Sequence, residues 1–529
     1  MKAEKLRYSK LNNSSFGEIA RKLLDRYERI AGERRLRGIN DEYEICDCEC
    51  EGNHDIRISV AITDYRNKVE RARTVESIRN QNYSNYEVLD ASDMSSSDGD
   101  YILLMNAGDL LRPDGLSCFV NAIKETGADF LYSDVFVFDE SVRYAVNKEY
   151  KPGFAPDTLR STNYIKHPFF KRELGQKLNF KWENCYDLIL KLSEICEKSV
   201  RIPKKLYFEK QSVDINVEED KIAIRNHLQR IDLKGDVLDG IAKGTYRISY
   251  KIDGNPLVSI IIPNKDNAHQ LERCVESIRK CTYGNIEIII AENNSTDETT
   301  FDYYRDALDK CSVQCVAEFK EKFNYSKINN FAVSKAKGEY ILLLNNDVEI
   351  ISEDMIEQML MFAQRPDVGA VGAKLYYPDG TIQHAGAVIG IRDMAGHAFK
   401  RFGRDEYGYL NRLVIAQNYS AVTAACLMVS KKKYLEVGGF DENFEIALND
   451  MDFCMRLGNA GYVNVWTPFA EAWHYESLSR KSDCIPENLE RAQKEKKRFI
   501  ELYKKEMTDG DPYYNPNLTL QRENFTPMK

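Results

Sequence analysis

The segment YILLMNAGDLL (Tyr101–Leu111) returns almost unchanged as YILLLNNDVEI (Tyr340–Ile350). The likeness extends well beyond these two stretches. SVAITDYRN (Ser59–Asn67) lies on SIIIPNKDN (Ser259–Asn267) at an offset of 200 residues, and VESIRNQNYSNYEV (Val75–Val88) lies on VESIRKCTYGNIEI (Val275–Ile288) at the same offset. The offset then becomes 239, where Gly99 meets Gly338, so the first copy lacks 39 residues between these blocks. NCYDLILKL (from Asn184) meets NDMDFCMRL (from Asn449) at offset 265. Two like units some 200 residues apart are duplicated domains, not a short-period solenoid. Whatever one copy folds into, the chain must hold it twice.

Each copy alternates short apolar runs with helical patterns. LVSIIIP and IEIIIAE are rich in Ile and Val and end in polar residues, which reads as buried strands of a parallel sheet. Between them, NAHQLERCVESIRK sets Leu271, Val275 and Ile278 on one helical face. A further strand, YILLL, follows. The expected fold is doubly wound α/β. In such sheets ligands sit beyond the carboxyl ends of the strands. In the second copy those ends carry Asn264 and Asp266, then Glu292 and Asn293, then Asn345, Asn346 and Asp347. Taken singly, each serves as well for a turn or a helix cap. Together they favour a site.

The remaining sequence narrows the class. The 529 residues allow two or three domains, and 43% hydrophobic with 30% charged residues is an ordinary globular balance. A net charge of -9 gives no basic face for nucleic acid, so no nucleic-acid partner is expected. No run of 18 apolar residues is present, and the opening residues lack the apolar core of a secretory signal. The thirteen scattered cysteines read as reduced thiols, and the expected location is cytoplasmic. Cys46, Cys48 and Cys50 alternate near His54, without zinc-ribbon spacing; an exposed linker is the preferred reading over a metal site.

Three features of the second copy suggest chemistry. An apolar strand stops at Asp347, where a carboxylate can hold a hard divalent cation and, through it, a diphosphate. His474 in EAWHYESLSR offers a second ligand, more at home with Mn²⁺ than with Mg²⁺, or is simply a satisfied histidine. ALNDMDFCMRL spaces Asp452 and Arg456 as a helical ion pair and leaves Asp450 near the helix start, as a cap or as a general base.

These phrases resemble glycosyltransferase family 2, of the GT-A fold, and within it the bacterial rhamnosyltransferase-like and O-antigen-type members. VSIIIPNKDN, FNYSKINNFAVSKAKGEYILLLNNDVEI, YPDGTIQHAGAVIG, AGHAFKRF, AVTAACLMVSKKKYLEVGGFDENF, NDMDFCMRLGNAGY, WHYESLSR and DPYYNPNLT carry the resemblance, from about Leu257 to Leu518. It implies that Asn345-Asn346-Asp347 stands for the family's DXD metal motif. Asp347 and His474 are then the metal ligands for Mn²⁺ or Mg²⁺, and Asp450 is the catalytic base. Pro263, Asp266, Glu292, Asn330, Asn345 and Asn346 are expected on the nucleotide-sugar side, with Ser477, Ser479 and Arg480 at the diphosphate. Asp452, Arg456, His384 and His397 are expected to support the acceptor or the structure. The family usually has Asp at the Glu292 position.

The implied reaction is inverting transfer from a nucleoside-diphosphate sugar (dTDP-rhamnose or a UDP-sugar) to a glycan or polyprenyl-linked acceptor in cell-surface polysaccharide assembly. The first copy reads as degenerate: Gly108 stands for Asp347, Cys185 for Asp450, Ser92 for Glu292, and Phe208 for the histidine. The expected architecture is two tandem Rossmann-like GT-A domains, the first shortened. It comprises a helical extension over 1–55, a non-catalytic copy over 56–210, a helical linker over 211–254, a catalytic domain over 255–480, and a C-terminal helix and tail over 481–529. The N-terminal stripe Ile19, Leu23, Tyr27 and Ile30 and the basic helix Pro486–Lys505 leave open peripheral contact with the inner face of the membrane, and the first copy leaves open a homodimer. Two other functions stay in view: a polymerase with two live sites, and a glycan-binding scaffold without catalysis.

Overall fold

The computed structural model describes residues 55–63, 68–138, 145–210, 215–475 and 486–528. The N-terminal extension, the Cys46–Cys50 cluster and Ser477, Ser479 and Arg480 lie outside the described residues. The chain divides into two compact units. One holds the described residues of Met1–Gly127, Asp134–Glu149 and Lys204–Val213; the other holds Ala128–Ser133, Tyr150–Pro203 and Asp214–Lys529.

In the first unit Ile58–Ile62 runs parallel to both Tyr86–Asp90 and Tyr101–Met105. In the second, Val258–Asn264 runs parallel to both Ile286–Glu292 and Tyr340–Leu344. The duplication reaches individual hydrogen bonds. Ser59 Oγ donates to Glu87 at 2.6 Å and accepts from Gly99 N at 2.9 Å; Ser259 Oγ donates to Glu287 at 2.5 Å and accepts from Gly338 N at 2.8 Å. Ser77 Oγ bonds Thr74 O and receives Leu111 N, as Ser277 Oγ bonds Cys274 O and receives Ile350 N. A buried hydroxyl must be partnered. Ser59 and Ser259 thus tie the same strands together, and Ser77 and Ser277 tie the same helix to the same strand, in both copies.

The copies part where the first lacks its 39 residues. There it has only the 3₁₀ turn Ala91–Ser96. The second builds the helix Glu298–Asp309, the strand Cys315–Glu318 and the helix Tyr325–Lys335. Its sheet runs Cys315–Glu318, Ile286–Glu292, Val258–Asn264, Tyr340–Leu344, Cys426–Ser430, Val368–Tyr376, Val463–His474, Val348–Ile350. The first four strands are parallel, and antiparallel pairing begins at Cys426–Ser430. The helix Ala268–Arg279 buries Leu271, Val275 and Ile278 as its periodicity predicts.

The units do not follow the expected 56–210 and 255–480 division, because Tyr150–Pro203 groups with the second unit. A buried ionic chain holds it there. Asp157 pairs with Arg365 and with Arg160, Arg160 Nε reaches His227 Nε2 at 3.2 Å, His227 meets Glu194 at 2.6 Å, and Glu194 meets Arg230 at 2.7 Å. Asn418 closes the near end, donating to Asp157 Oδ2 at 2.9 Å and accepting its N–H at 2.8 Å. The linker is not wholly helical. The helix Val217–Arg230 is followed by an antiparallel hairpin, Gly235–Asp239 with Tyr246–Tyr250, whose second strand buries alternate residues as a half-covered strand does.

The C-terminal helix Pro486–Leu502 and the tail also pack on the second unit. Arg498 pairs with Asp441, and Phe525 stacks on Phe399 at 4.2 Å. Among the described residues no helix is long and apolar enough to cross a membrane.

Candidate active site

The strand Val348–Ile350 pairs antiparallel with the end of Val463–His474, Val348 opposite His474. Asp347 is thereby brought beside His474: Oδ1 lies 3.2 Å from Nε2, and Tyr475 N donates to Asp347 O at 3.0 Å. His474 Nδ1 lies 2.7 Å from Gln383 Oε1. An amide oxygen only accepts, so Nδ1 carries a hydrogen and the ring is held with Nε2 on the side of Asp347. Asn345 Nδ2 also faces Nε2, at 3.3 Å, and Tyr325 OH donates to Asn345 Oδ1 at 3.0 Å, which orients the amide.

The donor set fits a borderline-hard divalent ion: one carboxylate oxygen and one imidazole nitrogen, with Gln383 fixing the tautomer from behind. Among the described residues no group of three or more His, Cys, Asp or Glu could hold a metal by itself.

The three polar strand ends meet in one network. Asn346 Nδ2 donates to Asn264 Oδ1 at 2.6 Å, Asn264 Nδ2 to Tyr304 OH at 2.7 Å, and Tyr304 OH to Glu292. Glu292 also receives Ser295 N at 2.5 Å and Ser295 Oγ at 2.6 Å. Asp266 Oδ1 accepts from Thr296 N at 2.7 Å and Asp297 N at 3.0 Å. Both carboxylates thus shape the loop 294–297. One carboxylate, that of Glu292, serves Ser295 and Tyr304 together. Asp266 and Asn267 adopt left-handed backbone (φ 53° and 56°), which Asp and Asn tolerate better than most residues. Pro263 sits in the strand one residue before Asn264, opposite Ala291.

Asp450 lies in the first turn of the helix Asn449–Asn459, and its Oδ2 accepts Ala424 N at 3.1 Å. Ala424 O in turn accepts from Tyr325 OH at 3.1 Å, so Tyr325 bridges the turn beneath Asp450 and the Asn345 amide beside His474. Burial, with Asp450 next, pushes the Tyr325 hydroxyl far up, so it stays a donor. His384 is fully buried and stacks edge to face on His397, with the Nδ1 atoms 3.0 Å apart. Burial, then His397 and His474, push it well below the usual histidine range, so its ring is neutral.

Other expected residues go elsewhere. Asn330 donates to Phe440 O at 3.0 Å and accepts from Tyr434 OH and Phe440 N, tying its helix to the segment 434–440. Asp452 pairs with Arg456 at 2.8 Å, the predicted i, i+4 contact, and accepts from Tyr503 OH at 2.7 Å. Asp452 and Arg456 line a cleft of about 440 Å³ that is shared with Asp441 and Arg498. Sequence reasoning missed Gln383, Tyr325 and Tyr304. Gln383 sits one residue before His384 in the motif QHAG, and Tyr325 opens the helix in NYSKINN, but neither residue type advertises its partner.

The first copy differs in detail. Leu110 pairs with Phe208 and Leu111 with Tyr207, as Glu349 pairs with Trp473 and Ile350 with Ala472. By that register Glu209, not Phe208, stands where His474 stands. Pro203 and Pro468 keep the offset of 265 and signal the same correction. Phe208 instead stacks on Phe136 at 5.4 Å. Gly108 occupies the Asp347 position with φ 105°, and Asp109, one residue later, has its Oδ1 taken by Lys210 N at 2.8 Å.

Residues 259–437 match the family model described as glycosyl transferase family 2. The uncharacterized protein y4gI of Sinorhizobium fredii is 38% identical over 81% of this chain and 49% of that protein. The O-antigen biosynthesis protein RfbC of Myxococcus xanthus is 33% identical over 80% of this chain and 34% of that protein. The N-acetylglucosaminyl-diphospho-decaprenol L-rhamnosyltransferase of Mycobacterium tuberculosis is 25% identical over 40% of this chain and 74% of that protein. The chain spans about half the length of the first of these relatives and about a third of the second.

Proposed function

The chain carries a glycosyl transferase family 2 domain, and from that premise we propose that it is an inverting, metal-dependent glycosyltransferase of cell-surface polysaccharide assembly. Its donor is a nucleoside-diphosphate sugar, dTDP-rhamnose or a UDP-sugar. Its acceptor is a hydroxyl of a glycan or of a polyprenyl-linked saccharide, met from the cytoplasmic side. The observation that carries the reading is the Asp347–His474 pair, with Gln383 holding His474 so that Nε2 faces the carboxylate. The likeness to an O-antigen biosynthesis protein and to a rhamnosyltransferase supports the pathway class.

Asp347 and His474 would hold Mn²⁺ or Mg²⁺, which would supply a positive charge to offset the one that develops on the departing diphosphate. Asp450 takes the proton from the acceptor hydroxyl while that oxygen attacks the anomeric carbon from the face opposite the diphosphate. One carbon–oxygen bond forms as the other breaks, so the anomeric configuration inverts and no covalent enzyme intermediate arises. The network from Asn346 through Asn264 to Glu292 orders the loop that meets the nucleotide, and the family resemblance assigns Ser477, Ser479 and Arg480 to the diphosphate. With Gly108 and Cys185 in place of Asp347 and Asp450, the first copy supports a single live site.

The test is thermal stabilisation by dTDP-rhamnose and a set of UDP-sugars, with and without Mn²⁺, in wild type and Asp347→Ala. A ligand at a hundred times its Kd adds about 2.7 kcal/mol. A Mn²⁺-dependent shift with one donor, lost in the variant, is expected. A shift that survives in Asp347→Ala overturns the reading.

A further inference from the structure

The turn Val422–Ala425 carries no charged side chain, yet its backbone is where the parts of the site join. Val422 N donates to Cys454 Sγ at 3.5 Å, Thr423 N to His384 Nε2 at 3.3 Å, and Ala424 N to Asp450 Oδ2 at 3.1 Å. Ala424 O receives Tyr325 OH at 3.1 Å, and Ala425 O receives Asn345 N at 3.0 Å. The helix bearing Asp450, the strand end bearing Asp347 and the strand Ile382–His384 therefore meet on four residues.

Resting on the reading of Asp450 as the base, we propose that His384 is a positioning residue for sugar transfer: its Nε2 accepts the Thr423 N–H and so holds the neighbouring Ala424 N–H on the Asp450 carboxylate. The two N–H groups are consecutive, so they move together. His384 is itself fixed. Its Nε2 is the acceptor, so its Nδ1 carries the hydrogen and donates to His397 Nδ1 at 3.0 Å. With this acceptor removed, the buried Thr423 N–H has no partner and the turn must shift to find one. A displacement on the order of 1 Å at a reacting group costs about a hundredfold in rate. Neither metal nor diphosphate touches His384 in this scheme, so the loss should fall on turnover and not on donor binding.

The test uses the full chain with whichever of dTDP-rhamnose, UDP-glucose or UDP-N-acetylglucosamine the stabilisation panel selects, with water as the acceptor hydroxyl, read as release of nucleoside diphosphate. His384→Leu removes the acceptor; His384→Gln puts an amide oxygen near the place of Nε2. The leucine variant should lose about a hundredfold in kcat, with donor KM and Mn²⁺–nucleotide binding within about twofold, and the glutamine variant should recover most of the loss. In an Asp450→Asn background the leucine substitution should change the residual rate less than about threefold, because residues acting through one another are not additive. A further hundredfold loss on Asp450→Asn, equal losses in the leucine and glutamine variants, or unchanged kcat in His384→Leu each overturn the proposal. Should the leucine variant not fold, His384→Met serves, its thioether being only a weak acceptor. If Asp450→Asn itself retains full turnover, the reading of the base has failed. If Asp450→Asn is inactive and His384→Leu is not, only the role of His384 has failed.

Discussion

Gln383 Oε1 accepts the Nδ1 hydrogen of His474 at 2.7 Å, and this one contact decides which face of the imidazole meets Asp347. Residues that fix a metal-bound histidine from behind are typically worth about 10–100-fold in metal affinity. Gln383→Leu should therefore weaken Mn²⁺ binding by about that factor, measured by calorimetry in the presence of a nucleoside diphosphate. Gln383→Glu, which still accepts, should lose far less. Equal affinities in wild type and Gln383→Leu would show that His474 is oriented by something else.

Asp450 has a different signature. Removal of a general base typically costs about 10²–10⁴-fold in rate, and Asp450 has no contact with Asp347 or His474 among those described. Asp450→Asn should lose kcat by about that factor, with Mn²⁺-dependent nucleotide binding unchanged. Asp347→Ala should lose the binding itself. If both variants lose binding alike, Asp450 belongs to the donor side and another group takes the proton.

The buried ionic chain predicts a pH dependence of stability. Burial alone would raise the Asp157 carboxyl; the Arg365 and Arg160 guanidiniums, with hydrogen bonds from Arg365 and Asn418, overcome it and hold the group at about 2. A depressed carboxyl contributes stability that is fully present above its unfolded pKa, about 3.9, and is lost as pH falls through the folded value. The contribution is about 2 kcal/mol, fading between about pH 4 and pH 2. Arg365→Leu, which strands Asp157, should destabilise the second unit by about 3–5 kcal/mol at neutral pH and flatten this acid limb. Urea unfolding at stepped pH reads both. An unchanged slope between pH 4 and pH 2 in the variant would mean that Asp157 is held down by Arg160 and Asn418 alone.

The parts of this architecture that were legible in the sequence are those where residue type and period carry the structure. Leu271, Val275 and Ile278 reveal themselves because apolar residues recur at helical spacing, and the blocks that open at Ser59 and Ser259 because they match at a fixed offset. Asp347, Asp450 and His474 were singled out by motif context, and the structure sets Asp347 beside His474. The rest depended on pairings that no local pattern encodes. Gln383 reaches His474 across 91 residues, and the Val422–Ala425 turn acts through backbone groups that any sequence would supply. The hairpin Gly235–Asp239 with Tyr246–Tyr250 was hidden by the strong helix beside it. Glu209 was displaced by one position because the aromatic pair Tyr207-Phe208 attracts alignment to Trp473-His474, whereas the strand ladder and Pro203 fix the other register. In a strand a slip of one residue exchanges its two faces, so that small error changed which side chain stands at the position of His474.

That register gives the sharpest test of the first copy. Gly108→Asp with Glu209→His restores, position for position, the pair that Asp347 and His474 form in the second copy. It should not restore the site. Gly108 has φ 105°, where an L side chain is strained by about 1–3 kcal/mol. Between Tyr86–Asp90 and Tyr101–Met105 the first copy also lacks a counterpart of the helix Tyr325–Lys335, whose tyrosine orients the Asn345 amide beside His474. In an Asp347→Ala background, which silences the second copy, the double variant should melt lower than its parent and show no Mn²⁺-dependent shift with dTDP-rhamnose or UDP-sugars. A donor-specific shift in that background would mean that the first copy has kept a nucleotide site and lost only its metal ligands.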